Sequence, residues 1–326
     1  MSFCCSQPLV EGNGEKIVVI IGCDSGIGQR LVEAAAAANF VVVAAHFQEQ
    51  SAAATRTTYE GNGFQVYAMA ADLTESVAPL VTVVETAMAA ETWRQLWAVV
   101  NNAGVCISGL TDLLPPDAYT KTMAINIHVP VRLVYDLLPS LKKTKGSRVI
   151  NVSSIDGFIS SPANAAYTAS KHALEAYSDT LRVDMMPWDV KVAIIEPGTM
   201  KTPLALGFFD SWFKTFQEAP VDRRKPYGDD WAKARMTNGK KLIEQIVSDP
   251  MIVVADIMDA IQSRQPKKHY LCGGAAKYLW WPLSILPVGM RDAMLVKMAC
   301  PHPPDALDTE QGRAIVAKSI AHLDAP

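Results

Sequence analysis

The sequence predicts an α/β fold in a single domain, with one doubly wound parallel sheet and helices on both of its faces. Short apolar segments rich in β-branched residues alternate with helix-like segments from residue 16 to about residue 200. Glycines, amides and hydroxyl side chains follow the strand candidates, at the sheet edge where such folds carry their sites. Apolar residues make up 49% of the 326 residues, which is enough for a sizeable core.

Composition restricts the class of protein. The net charge of −3 provides no electrostatic footprint for nucleic acid, and we expect no nucleic acid partner and no metal. The six cysteines form no C-x-x-C pair and no regular framework, so we expect reduced thiols in a cytoplasmic location. Residues 1–15 contain no apolar run of signal-peptide length, and we expect them to form a flexible N-terminus.

The first β-α-β unit contains a glycine turn. Ile17–Ile21 is a buried strand candidate, Gln29–Asn39 is an alanine-rich helix, and Phe40–Ala45 is the next strand. The intervening G-x-x-x-G-x-G lets the backbone approach a pyrophosphate, and the helix N-terminus adds N–H groups and partial positive charge. A tight connection without a ligand is the alternative. The turn supplies the first candidate cofactor-binding residues, Gly22, Asp24, Ser25, Gly26, Ile27 and Gly28.

The end of the second strand bears on the choice of nucleotide. An acidic residue there would bind a ribose 2′-hydroxyl, whereas Arg or Lys would neutralise a 2′-phosphate. The sequence has neither, because the strand ends in Ala45-His46-Phe47-Gln48. The absence of a cation favours NAD, while nearby Arg56 and His46 leave NADP open.

Two further strand ends carry candidates for the same site. The strand Phe64–Ala71 ends at an Asp-Leu pair, and a helix is predicted over Val77–Thr92. The strand Leu96–Val100 ends in Asn-Asn-Ala-Gly, where amides can join neighbouring strands and small residues leave room for a cofactor. A simple turn is the alternative there. These ends add Asp72, Leu73, Asn101, Ala103 and Gly104 to the candidate cofactor-binding residues.

The predicted helix Asp117–Leu141 contains a proline near its middle. Pro130 has no N–H group, so the carbonyl of Asn126 loses its ordinary partner four residues later. A kink is the usual result. A water held by that carbonyl is the second interpretation, and it would pass protons towards Lys171.

The stretch from Asn151 to Lys171 holds the candidate chemistry. The strand Arg148–Val152 leads into two serines, and the helix Tyr167–Met185 begins with Tyr-x-x-x-Lys. A lysine four residues after a tyrosine shares its helical face, and its charge favours the phenolate, which lowers the phenol pKa. A buried tyrosine beside an extended lysine is the ordinary alternative. The next strand, Val190–Ile195, ends in a Pro-Gly-Thr segment.

Together these motifs resemble the short-chain dehydrogenase/reductase family over residues 16–202. The ordered set is highly specific, although each part alone is not. The motifs are Gly22-x-x-x-Gly26-Ile-Gly28, Asn101-Asn-Ala-Gly104, Asn126, Ser154, Tyr167-x-x-x-Lys171 and Pro197-Gly198-x-x-x-Thr202. The resemblance implies a Rossmann-type fold and hydride transfer with NAD or NADP. Ile21 is a departure, because the family normally has a threonine there that braces the glycine turn.

The resemblance also implies roles for the matching residues. Tyr167 would be the acid/base, and Lys171 would lower its pKa and bind the nicotinamide ribose. Ser154 lies thirteen residues before the tyrosine and would hydrogen-bond the reacting oxygen, with Ser153 as the alternative. Asn126 would complete a water-linked proton relay. The last strand end would contribute Pro197, Gly198, Thr199 and Thr202 to the cofactor site, with Thr202 on the carboxamide.

Four segments narrow the resemblance to the retinol and hydroxysteroid dehydrogenase branch, which also includes D-3-hydroxybutyrate dehydrogenase. They are residues 23–26, 175–182, 190–197 and 276–287. Members of this branch commonly attach to membranes. The branch implies a retinoid, a steroid or another lipid-like secondary or allylic alcohol as substrate, and we expect a homodimer.

The domain is expected to span residues 16–275, with a lid over the substrate at about residues 203–250. Aromatic residues in the lid segment predict an apolar wall, although positions 209, 213 and 216 share a helical face that could equally be core. The basic run at residues 223–225 is either a solvated loop or a site for a carboxylate such as hydroxybutyrate. The candidate substrate-binding residues are Ser154, Tyr167, Leu204, Phe208, Phe209 and Trp212.

Residues 276–326 are expected to form an apolar C-terminal segment and a tail. The apolar part, residues 278–290, is interrupted by two prolines and is shorter than the ~20 residues that cross a bilayer. One interpretation places it in the interface of an intracellular membrane, with Trp280 and Trp281 at headgroup level. The other places it against the protein itself or a neighbouring subunit.

The sequence therefore predicts an oxidoreductase that interconverts an apolar alcohol and its carbonyl. Oxidation of D-3-hydroxybutyrate is the alternative among enzymes. A non-catalytic nucleotide-binding scaffold is the alternative from another class, and the intact Ser-Tyr-Lys set disfavours it because a scaffold needs no acid/base.

Overall fold

The computed structural model describes residues 9–299 together with positions 310 and 314. Within these residues, parallel strands form one sheet of seven. They are β1 (Lys16–Ile21), β2 (Val41–His46), β3 (Val66–Ala70), β4 (Gln95–Asn101), β5 (Arg148–Val152), β6 (Lys191–Pro197) and β7 (His269–Cys272). Their order across the sheet is β3-β2-β1-β4-β5-β6-β7, which confirms the predicted doubly wound parallel sheet.

Helices cover both faces of the sheet, because every crossover between parallel strands needs one. They are α1 (Gly26–Ala37), α2 (Glu49–Tyr59), α3 (Ala78–Ala89), α4 (Pro116–Met123), α5 (Val129–Leu141), α6 (Ala165–Met185), α7 (Pro203–Leu206), α8 (Phe208–Glu218), α9 (Val221–Arg224), α10 (Asp229–Ile246), α11 (Met251–Gln262), α12 (Trp281–Ser284) and α13 (Val288–Ala299). One apolar core lies between the sheet and α1 and α11. The other lies under α3, α5 and α6.

The single helix predicted over residues 117–141 is three elements in the structure. A π-helical turn, Ala124–His128, separates α4 from α5, and the N–H of Val129 donates to the carbonyl of Ala124, five residues earlier. Pro130 follows directly, in the first turn of α5. A proline lacks the N–H and crowds the preceding turn, so the helix widens there instead of continuing its ordinary pattern.

Several regular elements have no counterpart among the strand and helix bounds predicted from the sequence. They include α2, β7 and the helices α7 to α13, and β7 pairs with β6 at the edge of the sheet. The ends of the chain also differ from expectation. Val10 donates its N–H to Gln262 and Gly14 donates to Asn39, so residues 10–15 are attached to the domain. Residues 1–8 and most of the predicted tail lie outside the described residues.

Candidate active site

The glycine turn lies where the chain leaves β1, next to the loop that follows β4. Gly22 has φ +80°, and an added Cβ would lie 2.6 Å from the Cα of Ala103. The side-chain amide of Asn102 donates to the carbonyls of Ile21 at 3.2 Å and Gly22 at 3.0 Å. These bonds brace the turn that lacks the family's threonine at position 21. The two loops meet at the point where the strand order reverses, which is the ligand-binding position of such sheets.

The start of α1 forms a cradle that suits a pyrophosphate. Gly26 has φ +64°, and an added Cβ would lie 3.5 Å from the Thr202 side chain on the opposite wall. Ser25, the residue before the helix, makes no side-chain cap, so the first-turn N–H groups keep their capacity to bind an anion. The residues present therefore fit a dinucleotide.

The predicted catalytic side chains come together on α6 and at the end of β5. Tyr167 and Lys171 are buried, with exposures of 8% and 3%, and the Lys171 ammonium lies 5.5 Å from the centre of the tyrosine ring. The same ammonium donates to the carbonyl of Val152 at 2.8 Å, which ties α6 to β5. Ser154 hydrogen-bonds the Tyr167 hydroxyl, and its own Oγ accepts the N–H of Asp156 at 3.2 Å.

One cavity of about 950 Å³ joins the glycine turn to the catalytic side chains. Its volume is at the upper end of the range for ligand pockets, as expected if cofactor and substrate share it. Nearly all predicted site residues line it: Gly22, Asp24, Ser25, Gly26, Ile27, Asp72, Leu73, Ala103, Gly104, Ser154, Tyr167, Lys171, Pro197, Gly198, Thr199, Thr202, Leu204, Phe208, Phe209 and Trp212.

Three predicted site residues do not line the cavity. Gly28 packs α1 against the turn, since an added Cβ would lie 2.1 Å from the carbonyl oxygen of Gly22. Asn101 donates to the side chain of Asn151 at 2.7 Å and joins β4 to β5. Asn126 uses its amide on the backbone of Val105 and on the Ser170 hydroxyl, at 2.9 to 3.0 Å. These three residues support the loops and strands around the cavity without lining it.

Comparison with known proteins identifies the family. The model of the short chain dehydrogenase family matches residues 16–210. The chain belongs to this family. Among its relatives, retinol dehydrogenase 7 of Mus musculus is 32% identical, over 86% of this chain and 88% of that protein. The 17-beta-hydroxysteroid dehydrogenase type 6 of Bos taurus is 30% identical, over 90% of this chain and 91% of that protein.

A solved structure shares the fold of this dehydrogenase. It is a short chain dehydrogenase/reductase from Burkholderia phymatum in complex with NAD, with a TM-score of 0.63 and 22% identity. The alignment covers 78% of this chain and 88% of that chain. Membership of the family makes this chain an oxidoreductase that acts on CH–OH groups with a nicotinamide cofactor.

Burial changes the expected proton affinities at the centre of the dehydrogenase. It raises the pKa of Tyr167 above its ordinary value, and the nearby Cys106 and Asp156 add to this effect, whereas the Ser154 hydrogen bond lowers the pKa. The expectation that the Lys171 charge gives Tyr167 a lowered pKa is therefore wrong for the protein without its cofactor. Burial also lowers the pKa of Lys171 to about 8, so its amine is charged below that pH and neutral above it.

The acidic group that the sequence lacks at the end of β2 comes from the glycine turn. The carboxylate of Asp24 accepts the N–H groups of Phe47 at 2.8 Å and Gln48 at 2.9 Å, and the Ser51 hydroxyl. Burial opposes its ionisation, but these donors hold the pKa of Asp24 below its ordinary value. Asp24 precedes Phe47 by 23 residues in the chain, so the sequence around the end of β2 could not predict that this carboxylate lies there.

Neither basic group considered for NADP is a free cation at that strand end. Burial lowers the pKa of His46, and its Nδ1 lies 3.2 Å from the Ser51 hydroxyl. Arg56 pairs with Glu49 and donates to the carbonyl of Ala68 at 3.0 Å.

The segment predicted as the lid, residues 203–250, folds into α7 to α10. Trp212 and Phe216 are buried in a small core that joins this segment to Leu113 and Ala163 of the domain. Phe208, Phe209 and Trp212 line the cavity. Phe209 lies directly on α10, because an added Cβ at Gly239 would lie 2.1 Å from its ring. The aromatic stripe is therefore partly core and partly cavity wall.

Several cavity residues were not predicted. The largest group is on α10, where Gly239, Leu242, Ile243 and Ile246 line the cavity. Their spacing of three and four residues is the helical period, so this pattern could have revealed the wall. The loop after β4 adds Val105 and Cys106, and the loop after β5 adds Asp156, for which the sequence offers no comparable signal. Ser153, the alternative to Ser154, also lines the cavity.

The basic run at residues 223–225 does not line the cavity. Arg223 donates to the backbone carbonyl of Asp112 at 3.1 Å. Arg224 pairs with Asp229 at 2.8 Å. Arg223 thus joins α9 to the loop before α4, and Arg224 joins α9 to α10, so neither arginine provides a site for a substrate carboxylate.

The C-terminal segment has two different faces. Leu283 and Leu295 are buried against Ile155 and Ile159 near the active site. Tyr278 and Ile285 are exposed, at 83% and 66%. The segment therefore packs on the domain with one face and presents apolar side chains with the other. In the part of the chain that the structure describes, no helix has the length and hydrophobicity needed to cross a bilayer.

Proposed function

We propose that this dehydrogenase oxidises a large apolar alcohol with NAD, at the site formed by Ser154, Tyr167 and Lys171. The observation that carries the proposal is the single cavity, which has a glycine cradle at one end and an apolar wall from the lid at the other. The catalytic side chains lie between these ends. Two relatives named for retinol and a hydroxysteroid, both apolar alcohols, support the same substrate class.

The side chains suit general acid/base chemistry. The phenolate of Tyr167 accepts the hydroxyl proton of the substrate, while Ser154 orients the oxygen by a hydrogen bond. Lys171 stabilises the phenolate while its amine is charged. When bound, the oxidised nicotinamide supplies the hydride acceptor and a positive charge that favours the phenolate. The water relay through the carbonyl of Asn126 stays a prediction.

A panel of secondary and allylic alcohols tests the proposal. Retinoids and steroids should reduce NAD, measured by the absorbance of the reduced cofactor, whereas D-3-hydroxybutyrate should not. The basic run that would favour the short acid lies outside the cavity lining, and the wall is apolar. Turnover of the short acid in preference to every large alcohol would contradict the proposed substrate class. NAD reduction by none of the alcohols would leave the scaffold alternative standing.

We expect NAD to be preferred over NADP, and Asp24 to be the reason. A 2′-phosphate at the end of β2 would lie near its carboxylate, which binds the backbone of Phe47 and Gln48 there. Asp24→Asn keeps the shape but removes the charge, so the preference for NAD should fall by about tenfold, the effect of roughly 1.4 kcal/mol. The measurement is kcat/KM with each cofactor. Asp112→Asn, in the loop between β4 and α4 and outside the cavity lining, is the control. Equal preference in the wild type would contradict the argument.

We propose that the exposed face of the C-terminal segment lies on a membrane surface. Leu204, Leu242, Ile246 and Leu279 both line the cavity and are at least 40% exposed, so the cavity opens within an apolar surface. An apolar alcohol could pass from a bilayer into the cavity by this route. A cytoplasmic protein with peripheral membrane contact fits this arrangement.

Liposome flotation tests the membrane contact. Ile285→Glu should reduce the floated fraction about tenfold, because burial of one such side chain contributes about 1.5–3 kcal/mol. Trp93→Glu is the control, because Trp93 is exposed, precedes the amino end of the central strand β4 and does not line the cavity. Equal flotation of the two variants would contradict the proposed surface.

We also propose a homodimer through α5 and α6. These helices pack on the same face of the sheet, and their outer surfaces expose Tyr135 at 79% and Val183 at 56%. Sedimentation velocity should give the mass of a dimer for the wild type and of a monomer for Tyr135→Glu. A monomeric wild type would refute the proposal.

A further inference from the structure

A group of ionisable side chains lies at the edge of the sheet, where β6, β7 and α6 meet. Glu196 is on β6, and His269 begins the edge strand β7. His269 pairs with Ile194, two residues before Glu196, so these two side chains extend from the same face of the sheet. The helix α6 packs on that face and brings Glu175 to the same place. Three separate elements therefore contribute one side chain each.

The three side chains are close enough to share one ion. The His269 Nδ1 lies 3.2 Å from a Glu196 oxygen and 4.0 Å from a Glu175 oxygen. One ligand atom from each side chain lies within 4.8 Å of the other two. Nitrogen and oxygen ligands about 2.0–2.2 Å from a tetrahedral ion are about 3.5 Å apart, so small side-chain movements would complete that arrangement. Among the described residues, no second group of three His, Cys, Asp or Glu side chains has this spacing.

Glu196 keeps an oxygen without a partner at this place. Its side chain is 6% exposed, and one oxygen faces His269. The other oxygen of the same carboxylate is buried and has no hydrogen-bond partner among the residues that the structure describes. Buried carboxylates are costly unless they are paired or coordinate a cation. The second oxygen therefore indicates a ligand that the histidine alone does not replace.

Asp179 is placed as an outer partner of the histidine. Its carboxylate lies 3.7 Å from the Nε2 of His269, the ring nitrogen that does not face Glu196. A histidine that binds a metal ion usually directs its second ring nitrogen towards a carboxylate or a carbonyl, which fixes the ring and its tautomer. Arg182 holds Asp179 at 2.6 Å. The imidazole can thus present Nδ1 to an ion while Asp179 orients the ring.

The group is separate from the cavity that holds the catalytic side chains. Glu175, Glu196 and His269 do not line that cavity. Glu175 follows Tyr167 by eight residues on α6, which is about 12 Å along the helix axis. An ion held here would not reach the reacting atoms. The His269 side chain is 42% exposed, so an ion can enter from solvent.

We propose that Glu175, Glu196 and His269 bind one Zn²⁺ ion, which fastens the edge strand β7 to β6 and α6. A nitrogen ligand together with carboxylate oxygens suits Zn²⁺, whereas Mg²⁺ and Ca²⁺ take oxygen ligands. Three protein ligands leave the fourth position to water, on the exposed side of His269. The role is structural and goes beyond the proposed function. It replaces the expectation of no metal, since ligands from three separate elements form no spacing motif in the sequence.

The ion would replace a contact of the metal-free protein. Without an ion, His269 and Glu196 form a hydrogen bond through Nδ1. His269 binds a metal as the neutral imidazole, so a proton on Nδ1 leaves to solvent when the ion enters. The strand β7 has only four residues and lies at the edge of the sheet. An ion that joins its first residue to two other elements should therefore stabilise this edge.

Calorimetric titration of the full chain with zinc chloride tests the site, after any bound metal has been removed with EDTA. The wild type should bind one Zn²⁺ ion that Glu196→Gln and His269→Phe bind at least about 100-fold more weakly. Loss of a direct ligand should exceed the effect of losing an outer partner, which is about 10- to 100-fold. Asp179→Asn removes only the outer partner and should weaken binding about tenfold.

Thermal unfolding gives an independent measurement of the same site. Zinc chloride at about 100 times its Kd should raise the Tm of the wild type by about 4–5 °C, because the ion binds the folded state. The same concentration of magnesium chloride should not raise it. The zinc effect on Tm should be lost in His269→Phe.

Two control variants make the same chemical changes elsewhere. Asp184→Asn removes a carboxylate from an exposed position of α6, and His128→Phe replaces an exposed histidine outside the group. Both should bind Zn²⁺ as the wild type does. His269→Phe keeps a planar ring at a partly exposed position of the edge strand, so it should fold even if Glu196→Gln does not.

Three results would overturn the proposed ion. The first is a wild type that binds no Zn²⁺, or an affinity that is unchanged in both Glu196→Gln and His269→Phe. The second is an equal loss of affinity in His128→Phe, which would show nonspecific binding to histidines. The third is an equal rise in Tm with magnesium chloride. None of these measurements uses turnover, so a failure of the zinc site and a failure of the proposed function are distinguishable.

Discussion

Tyr167→Phe should lower kcat for alcohol oxidation by about 10²- to 10⁴-fold, the contribution of a positioned acid/base group. The substitution removes only the hydroxyl that exchanges a proton with the substrate and hydrogen-bonds Ser154. The ring stays in place beside the ammonium of Lys171, which lies 5.5 Å from its centre. Cofactor affinity, measured by titration of the quenched protein fluorescence, should therefore change little while turnover is lost.

Tyr177→Phe is the matched control for that variant. Tyr177 is on the same helix, is half-buried and packs against the core under α3, α5 and α6 rather than lining the cavity. Loss of its hydroxyl should leave kcat within about twofold of the wild type, as for a change that removes no catalytic interaction. Retention of most activity in Tyr167→Phe, or an equal loss in Tyr177→Phe, would contradict the assigned role.

Gly22→Ala should weaken cofactor binding by at least about 100-fold, the scale of effect that follows from a displacement of about 1 Å. The new methyl group would lie 2.6 Å from the Cα of Ala103 and 2.8 Å from its backbone N. Backbone atoms cannot turn aside as a flexible side chain can. The glycine turn and the loop after β4 must therefore separate, and their separation widens the cradle at the start of α1.

The stability of Gly22→Ala, compared with that of a control variant, separates the cost of backbone strain at positive φ from the cost of the clash with Ala103. Alanine at φ +80° costs about 1–2 kcal/mol in free energy of unfolding, and overpacking adds about 1–3 kcal/mol. Gly61→Ala is the control, because Gly61 has φ +72° but no atom within 4 Å of an added Cβ. Urea denaturation should show the smaller loss in the control. Equal losses of stability in both variants, with unchanged cofactor affinity, would contradict the argument. They would mean that the contact between the two loops does not determine the shape of the cradle.

Local sequence patterns predicted the strands and helices that a short run of residues is enough to identify. The strand Arg148–Val152 has the predicted bounds, and the helix that begins before Tyr167 ends at Met185 as predicted. Apolar β-branched runs are specific for strands buried on both faces, so their positions follow from composition alone. Pro130 predicted a helix irregularity, and the structure resolves it as a π-helical turn.

Local patterns failed where the signal was weak or the cause was distant. The helix Glu49–Tyr59 has only one buried residue, so it lacks the apolar stripe that identifies a helix in sequence. The strand His269–Cys272 has four residues, too few for a periodic pattern. Asn101 and Gly28 belong to motifs that cluster at the site. The Asn101 side chain nevertheless joins two strands, and the missing side chain of Gly28 lets α1 pack against the turn.

The sequence alone determined the order of the sheet-forming segments, the glycine turn and the spacing that puts Tyr167 and Lys171 on one helical face, because these depend on neighbours in the chain. Only the tertiary structure decided that Asp24 serves the end of β2, that α10 closes the cavity, and that burial raises the pKa of Tyr167. It also brought His269 on β7 next to Glu196 on β6 and Glu175 on α6. These contacts join residues that are far apart in the chain, and the burial of a side chain depends on such contacts. A local sequence pattern therefore cannot predict them.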